Sequence, residues 1–186
     1  GEQYISPAEK RVYYFEDQRS YHTLKTGWIY DEGHWYYLQE DGGFDSRINR
    51  LTVGELARGW VKDFPLTYDE DKLKAAPWYY LDPTTGIMQT GWQYLGNKWY
   101  YLRSSGAMAT GWYQEGSTWY YLDAENGDMQ TGWQYLGNKW YYLRSSGAMA
   151  TGWFQVGSKW YYAYSSGTLA VNTTVEGYSV NYNGEW

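Results

Sequence analysis

The stretch Gly91-Trp92-Gln93-Tyr94-Leu95-Gly96-Asn97-Lys98-Trp99-Tyr100-Tyr101-Leu102 decides how this chain folds. Its centre, Gly96-Asn97, is a strong hairpin turn, because Gly and Asn tolerate the positive φ angles that two-residue turns require. Folding the two arms about this turn places Trp92 opposite Tyr101, and Tyr94 opposite Trp99. Strand side chains alternate between faces, so one face carries all four of these aromatic rings. A lone hairpin is marginal in water, and the unit must therefore stack on others.

Copies of this unit recur along the chain. The Gly-Trp pair that opens the first arm returns at Gly27, Gly59, Gly111, Gly132 and Gly152. The Trp-Tyr-Tyr arm that closes the unit returns at Trp35, Trp78, Trp119, Trp140 and Trp160. Residues 88–112 and 129–153 are the same 25 letters. A repeated unit that cannot bury its own apolar face predicts an all-β fold, a solenoid of stacked β-hairpins.

The composition is unusual in its aromatic share. Aromatic residues make up 22% of the chain, with 13 Trp and 24 Tyr, and there is no Cys. Rigid amphipathic rings suit recognition surfaces as well as packing. The sequence has no apolar run of about 18 residues, so no membrane span is predicted. A net charge of −6 argues against nucleic acid as a partner and favours a cationic or neutral one.

Four segments follow from the spacing of the repeats. Residues 1–23 read as an N-terminal cap or degenerate repeat, and 24–83 as two irregular repeats with insertions at 39–58 and 61–77. Residues 84–170 contain four regular repeats, and 171–186 read as a closing hairpin. Both insertions are expected to be solvated surface or a contact surface for another domain.

Two short helical segments are predicted inside these insertions. Thr67 and Glu70 have the spacing of a capping box, acids precede lysines, and Pro77 stops the helix. Residues 52–58 favour a second helical turn.

The aromatic face is suited to holding a quaternary ammonium ion. Two Trp rings of one hairpin and a Tyr of the next would form a three-walled cage, in which each ring face attracts a cation by about 0.5–2 kcal/mol. The alternative is that the rings only pack hairpin on hairpin, and the methionines have the same two interpretations. A catalytic site is not indicated, because His22 and His34 are isolated and Cys is absent. The sequence predicts no metal, no cofactor and no catalytic residue.

The pattern Gly-Trp-x6-Trp-Tyr-Tyr-Leu-x4-Gly-x-Met-x-Thr-Gly-Trp resembles the choline-binding repeat of Gram-positive cell-surface proteins. The resemblance covers about residues 26–170, and the tail resembles the closing segment of those modules. The insertions most closely resemble the module of the choline-binding cell-wall endo-β-N-acetylglucosaminidase. The resemblance implies a non-catalytic hairpin superhelix that is secreted to the cell wall. It also implies that this module binds choline or phosphocholine on teichoic and lipoteichoic acids. It also implies a catalytic domain, a glycoside hydrolase, C-terminal to Trp186 in the parent chain.

The resemblance further implies that choline lies between consecutive hairpins, held by two Trp of one repeat, a Tyr of the next and a Met or Leu side wall. The three best sites are Trp92, Trp99 and Tyr120; Trp112, Trp119 and Tyr141; and Trp133, Trp140 and Tyr161. A fourth set, Trp60, Trp78 and Tyr100, is interrupted by an insertion, and the set Trp28, Trp35 and Tyr79 is followed by a long connection. The side-wall candidates are Met108, Met129 and Met149.

The middle Tyr of each triplet is chosen on geometry. If hairpins stack by near-translation, one face of a unit meets the opposite face of the next. A superhelical rotation would instead bring in Tyr121, Tyr142 and Tyr162. The alternative function is a carbohydrate-binding repeat of the glucan-binding type, in which one or two coplanar rings stack on a sugar.

Overall fold

The structure, a computed structural model, describes residues 2–6, 11–15, 26–39, 44–45, 50–51, 55–63 and 69–186. The strands are β1 (Glu2–Ser6), β2 (Arg11–Phe15), β3 (Gly27–Asp31), β4 (His34–Leu38), β5 (Phe44–Asp45), β6 (Arg50–Leu51), β7 (Gly59–Lys62), β8 (Trp78–Leu81), β9 (Gly91–Leu95), β10 (Lys98–Leu102), β11 (Gly111–Glu115), β12 (Thr118–Leu122), β13 (Gly132–Leu136), β14 (Lys139–Leu143), β15 (Gly152–Val156), β16 (Lys159–Ala163), β17 (Thr173–Val175) and β18 (Tyr178–Val180). One helix, α1 (Glu70–Lys74), lies within the described residues.

Every described strand pairs with its sequence neighbour in a two-stranded sheet. The six hairpins predicted from the Gly-Trp and Trp-Tyr-Tyr arms are β3–β4, β7–β8, β9–β10, β11–β12, β13–β14 and β15–β16. In β13–β14, the copy identical to the opening stretch, Trp133 lies opposite Tyr142 and Tyr135 opposite Trp140. The predicted register and the predicted all-β class of stacked hairpins are confirmed.

The hairpin turns are formed as the residue types predict. Gly96 has φ 56° and Asn97 has φ 64°, and the duplicated Gly137 and Asn138 have φ 55° and 62°. Two consecutive positive φ angles define a type I′ turn, whose twist matches that of the flanking strands. The turn therefore sets the register that puts the aromatic residues on one face.

The contacts divide the chain into two compact units. The first comprises Gly1–Gly91 with Leu102–Met108, and the second comprises Trp92–Tyr101 with Ala109–Trp186. In the first unit a small core of Tyr37, Ala57 and Leu81 packs against partly buried aromatic residues. In the second unit the corresponding cluster is Ala150, Phe154, Tyr161, Ala163 and Leu169.

Successive repeats are joined by one recurring hydrogen bond. In the second unit the Met129 N–H donates to the Trp99 carbonyl and the Met149 N–H donates to the Trp119 carbonyl, both at 2.8 Å. The leucines that end β12 and β14, Leu122 and Leu143, are fully buried and bridge to the following methionines, Met129 and Met149. This connection places one methionine beside the second Trp of the preceding hairpin.

A glycine lies against each of these methionines. Gly147 has φ 82°, and a Cβ there would overlap the Met129 thioether. Gly167 has the same relation to Met149. The glycine of the Gly-x-Met motif is therefore required both by its backbone conformation and by the space that the previous methionine occupies.

The insertion helix is present, but its predicted cap is wrong. The N-cap is Asp69, whose carboxylate accepts the backbone N–H groups of Asp71 and Lys72. Asp is a stronger cap than Thr and directly precedes the first helical residue, whereas Thr67 lies outside the described residues. The helix ends before Pro77, as predicted, and none of its residues is buried.

The predicted helical turn at 52–58 is wrong for its described part. Leu56 is extended and bridges to Leu38, and the Ala57 N–H donates to the Tyr37 carbonyl at 2.8 Å. Leu56 also lies against Gly86, as Met129 lies against Gly147. This segment therefore takes the place of a Gly-x-Met connection, and pairing with β4 overrides its weak helical propensity. Residues 52–54 lie outside the described part.

The terminal segments also form hairpins, β1–β2 and β17–β18. The proposed repeat boundaries at 23, 83 and 170 remain predictions. Across the described ranges, no helix is both long and apolar enough to traverse a bilayer.

Candidate functional site: aromatic cages between hairpins

Two perpendicular tryptophans form the base of the three predicted cages in the second unit. Both come from one hairpin, the first from the Gly-Trp arm and the second from the Trp-Tyr-Tyr arm. The ring centroids are 6.5 Å apart for Trp92 and Trp99, 6.4 Å for Trp112 and Trp119, and 6.3 Å for Trp133 and Trp140, with interplanar angles of 83°, 84° and 88°. Walls at right angles leave a corner in which a rounded group can touch both ring faces.

The third ring comes from the next hairpin and is the middle Tyr of its triplet. Tyr120 lies 4.9 Å from Trp92, Tyr141 lies 4.9 Å from Trp112, and Tyr161 lies 4.8 Å from Trp133, each between ring centroids. The structure thus brings together all three predicted sets in this unit.

The last Tyr of each triplet faces the first Trp of its own hairpin instead. Tyr121 lies 5.2 Å from Trp112, its cross-strand partner, and Tyr142 lies 5.0 Å from Trp133. Each of these tyrosines packs against the first Trp of its own hairpin and is not a wall of the neighbouring cage.

A methionine or leucine completes the cage wall. Trp112, Trp119, Tyr141 and Met149 line one cavity of about 310 Å³, with Ser165 and Ser166 at its rim. At the next cage, Leu169 lines the cavity with Trp133 and Trp140. Trp119 is 38% exposed and Trp140 is 46% exposed, so each cage is open to solvent on one side.

Met129 and Met108 make the same backbone hydrogen bond as Met149, each to the second Trp of an earlier hairpin. The Met129 N–H bonds to Trp99 in the second unit, and the Met108 N–H donates to the Trp78 carbonyl at 2.7 Å in the first. Each of the three predicted side-wall methionines therefore bonds through its backbone N–H to the second Trp of an earlier hairpin.

In the first unit, the insertion between Trp60 and Trp78 does not disturb their geometry. Their ring centroids are 6.5 Å apart at 89°, as in the regular cages. The Lys62 ammonium lies 5.6 Å from the Trp78 ring centroid. Tyr100 belongs to the other unit, and its role as the third wall remains a prediction. Trp28 and Tyr79 lie 4.6 Å apart, so the set considered weakest from sequence also brings its first Trp and its Tyr together.

Sequence reasoning missed a further cage at the C-terminal end. Trp153, Trp160, Tyr178 and Trp186 line a cavity of about 240 Å³. The Trp186 N–H donates to the Trp160 carbonyl at 3.0 Å, and Gly184 lies against Leu169. Gly184-Glu185-Trp186 is therefore a Gly-x-Met connection with Trp in place of Met, and this spacing is the signal that could have revealed the cage.

Carboxylates lie beside several cages. The indole N–H of Trp92 donates to Glu115 at 3.1 Å, and that of Trp153 donates to Glu176 at 3.0 Å. Near the Trp133 cage, Glu185 is bound instead by the Lys159 ammonium at 2.6 Å, which lowers the pKa of the Glu185 carboxyl. Lys98 pairs in the same way with Asp128 at 2.9 Å, which raises the pKa of the Lys98 ammonium.

These sites are suited to binding a cation that carries alkyl groups, such as a quaternary ammonium ion. Three ring faces present electron-rich surfaces, and the side wall adds apolar contact. Among the described residues, no group of three His, Cys, Asp or Glu side chains is placed to hold a metal ion.

Stacked two-stranded hairpins with aromatic corners between them define a class of β-hairpin repeat proteins. Residues 89–131 and 130–173 match the choline-binding repeat family, and residues 26–44 match the family described as a putative cell wall binding repeat. The chain belongs to the choline-binding repeat family and is a non-enzymatic, cell-wall-binding module. No curated protein sequence matches it.

Solved structures from Streptococcus pneumoniae resemble the chain over nearly its whole length. CbpJ is 60% identical over 94% of this chain, with a TM-score of 0.68, and CbpF in complex with ipratropium is 59% identical over 100%, with a TM-score of 0.66. The modular autolysin LytC, in complex with a synthetic peptidoglycan ligand, is 27% identical over 99%, with a TM-score of 0.66. The chain spans 61%, 66% and 37% of these three proteins.

Proposed function

We propose that this module attaches its parent protein to the bacterial cell wall by binding the choline groups of teichoic and lipoteichoic acids in its aromatic cages. The observation that carries the proposal is the perpendicular pair of tryptophans closed by a tyrosine of the next hairpin, repeated at Trp92, Trp112 and Trp133. The likeness to CbpF supports it, because ipratropium, the ligand of that complex, carries a quaternary ammonium group.

The magnitude is consistent with weak single sites. Three ring faces contribute about 1.5–6 kcal/mol in total before the entropy of association is subtracted. A net affinity near the millimolar range follows for free choline. A wall polymer carries many choline groups, so several cages on one array raise the overall avidity by about 10²–10⁴.

Ring orientation supports choline over a glucan as the ligand. A sugar platform needs rings that are nearly coplanar, whereas the paired tryptophans stand at 83° to 88°. The perpendicular arrangement fits a trimethylammonium group, which presents methyl groups in several directions.

The test is elution from a quaternary-amine resin. Free choline at millimolar concentrations should release the protein, and tetramethylammonium should do the same because the cages contact the methylated cation. Glucose oligomers and ethanolamine should not, since the first lacks a charge and the second lacks methyl groups. Release by glucose oligomers but not by choline would overturn the proposal in favour of the carbohydrate-binding alternative.

The finer proposal is that the parent chain is a wall hydrolase, specifically an endo-β-N-acetylglucosaminidase, whose catalytic domain lies outside these residues. The likeness to the modular autolysin LytC supports a hydrolase parent in general. A fluorescent fusion of this module should label walls that carry choline and fail to label walls grown with ethanolamine in its place. Analysis of the glycan ends that the parent protein releases would then identify which bond it cleaves.

A further inference from the structure

The cages of the second unit differ in one residue of the following hairpin. This residue is the fourth after the Gly of the Gly-Trp pair. It is Glu115 in β11, where its carboxylate accepts the indole N–H of Trp92 at 3.1 Å. At the same position β13 has Leu136, and β15 has Val156. In the tail, Glu176 has the equivalent role toward Trp153, at 3.0 Å. Acidic and aliphatic residues thus divide the cages into two kinds.

The first Trp and the Tyr wall have the same geometry in the Trp92 cage, of the acidic kind, and in the Trp112 cage, of the aliphatic kind. Trp92 and Tyr120 are 4.9 Å apart at 63°, and Trp112 and Tyr141 are also 4.9 Å apart at 63°. Both cages are followed by a methionine bonded to the second Trp at 2.8 Å. The Trp92 and Trp112 cages therefore share the geometry of their Trp and Tyr walls. They differ in the carboxylate and in Tyr113, whose ring lies 6.1 Å from Trp92 at a position where β13 has Gln134.

The Glu115 carboxylate takes part in no ion pair with another described residue. Among the described residues the ion pairs join Lys72 to Asp69, Lys98 to Asp128 and Lys159 to Glu185. The last pair matters for comparison, because the Trp133 cage also has a carboxylate at its edge, but there Lys159 neutralises it. An unpaired carboxylate beside a cage adds a negative potential that a paired one does not.

We infer that Glu115 and Glu176 set the affinity of their cages, making the Trp92 cage and the terminal Trp153 cage the tighter cation sites of this unit. The inference rests on the proposed function, since it concerns how strongly each cage holds choline. The carboxylate lies in the plane of the indole, at its N–H, while the cation lies over the ring face. It therefore contributes through the field and not through contact with the ligand.

The expected size follows from the distance. A cation over the ring and a carboxylate at the indole N–H are about 6–7 Å apart, which gives a roughly three- to tenfold gain in affinity at effective dielectric constants of about 40 to 80. Donation to an anion also polarises the indole and makes its face more electron-rich. Because Glu115 is exposed, added salt should reduce the gain.

The test follows individual cages in the full chain by the indole N–H resonances of tryptophan during a choline titration. Glu115→Gln keeps a hydrogen-bond acceptor and removes the charge, and its perturbed indole resonance identifies Trp92. The choline midpoint at Trp92 should rise three- to tenfold, while the midpoint at Trp112 stays unchanged. The reverse variant, Leu136→Glu, should lower the Trp112 midpoint by a similar factor.

A neutral analogue separates charge from shape. In 3,3-dimethylbutanol a carbon atom replaces the ammonium nitrogen of choline, so its binding should not respond to Glu115→Gln. An unchanged choline midpoint at Trp92 in Glu115→Gln, or an equal loss of the neutral analogue, would overturn the inference. If Leu136→Glu does not fold, Glu115→Leu, which copies the natural residue of the Trp112 cage, decides in its place.

The same titration distinguishes this failure from that of the proposed function. If no indole resonance responds to choline at about 100 mM, a hundredfold above a millimolar dissociation constant, both fail together. If the resonances respond to choline but the variants do not change the choline midpoints at individual cages, only the role of Glu115 is wrong.

Discussion

Replacing Gly147 by Ala tests whether the glycine of the Gly-x-Met motif holds consecutive repeats together. Gly147 has φ 82°, and an added Cβ would overlap the sulfur of Met129. The left-handed backbone alone costs a non-glycine residue about 1–2 kcal/mol. Overpacking against the thioether adds about 1–3 kcal/mol, because Met129 must leave its position to relieve the overlap.

The matched control is Gly132→Ala. Gly132 has φ 75°, and a Cβ there would meet nothing within 4 Å, so the control carries the backbone strain without the overlap. One kcal/mol shifts the melting temperature of a chain of this size by about 2–4 °C. Gly147→Ala should therefore melt about 2–12 °C below Gly132→Ala, by circular dichroism or calorimetry.

A second readout connects this packing to the binding site. Met129 is bonded to Trp99 and is the predicted side wall of the Trp92 cage, so its displacement should weaken choline binding at that cage and leave the Trp112 cage intact. Adding Met129→Ala to Gly147→Ala should recover part of the lost stability, because the overlap disappears. Equal melting temperatures for the two single variants would refute the argument that the glycine makes room for the methionine.

Three further predictions concern the cages and their connections. Trp99→Leu and Trp140→Leu each remove one ring face but keep apolar volume, so calorimetry should show about one choline site fewer in each, with nearly equal losses because the surrounding 25 residues are identical; unchanged stoichiometry would mean that these rings only pack. Trp186→Ala should remove the terminal cage and leave the fold intact, since this side chain is 58% exposed and the variant keeps the backbone N–H bonded to Trp160; loss of binding at the other cages would contradict its local role. The backbone N–H groups of Asn126 and Glu125 lower the pKa of Asp123 below 3.8. The contribution of Asp123 to stability is therefore present above that value and lost as the pH falls through the folded pKa. Between about pH 5 and about pH 2, Asp123→Asn should show a smaller drop in melting temperature than the unaltered chain, and parallel curves would exclude the effect.

The hairpins could be predicted from the sequence because they are local. Gly96-Asn97 requires positive φ, alternation assigns each side chain to a face, and the two arms meet across a two-residue turn. The pairings of Trp133 with Tyr142 and of Tyr135 with Trp140 follow from these rules alone. Both Trp of a cage belong to one hairpin, so that part of the site was determined in the same way.

Only the tertiary structure decided what crosses from one hairpin to the next. The spacing of the repeats in the sequence does not determine how far one hairpin is rotated relative to the next. That rotation makes Tyr120, and not Tyr121, the wall beside Trp92. The same rotation brings Glu115 to the indole of Trp92. The chain at Leu56 is extended because β4 offers it a partner, and Trp186 forms a cage because its N–H reaches Trp160. Each of these contacts joins a hairpin to residues outside it, and their geometry depends on packing rather than on local sequence.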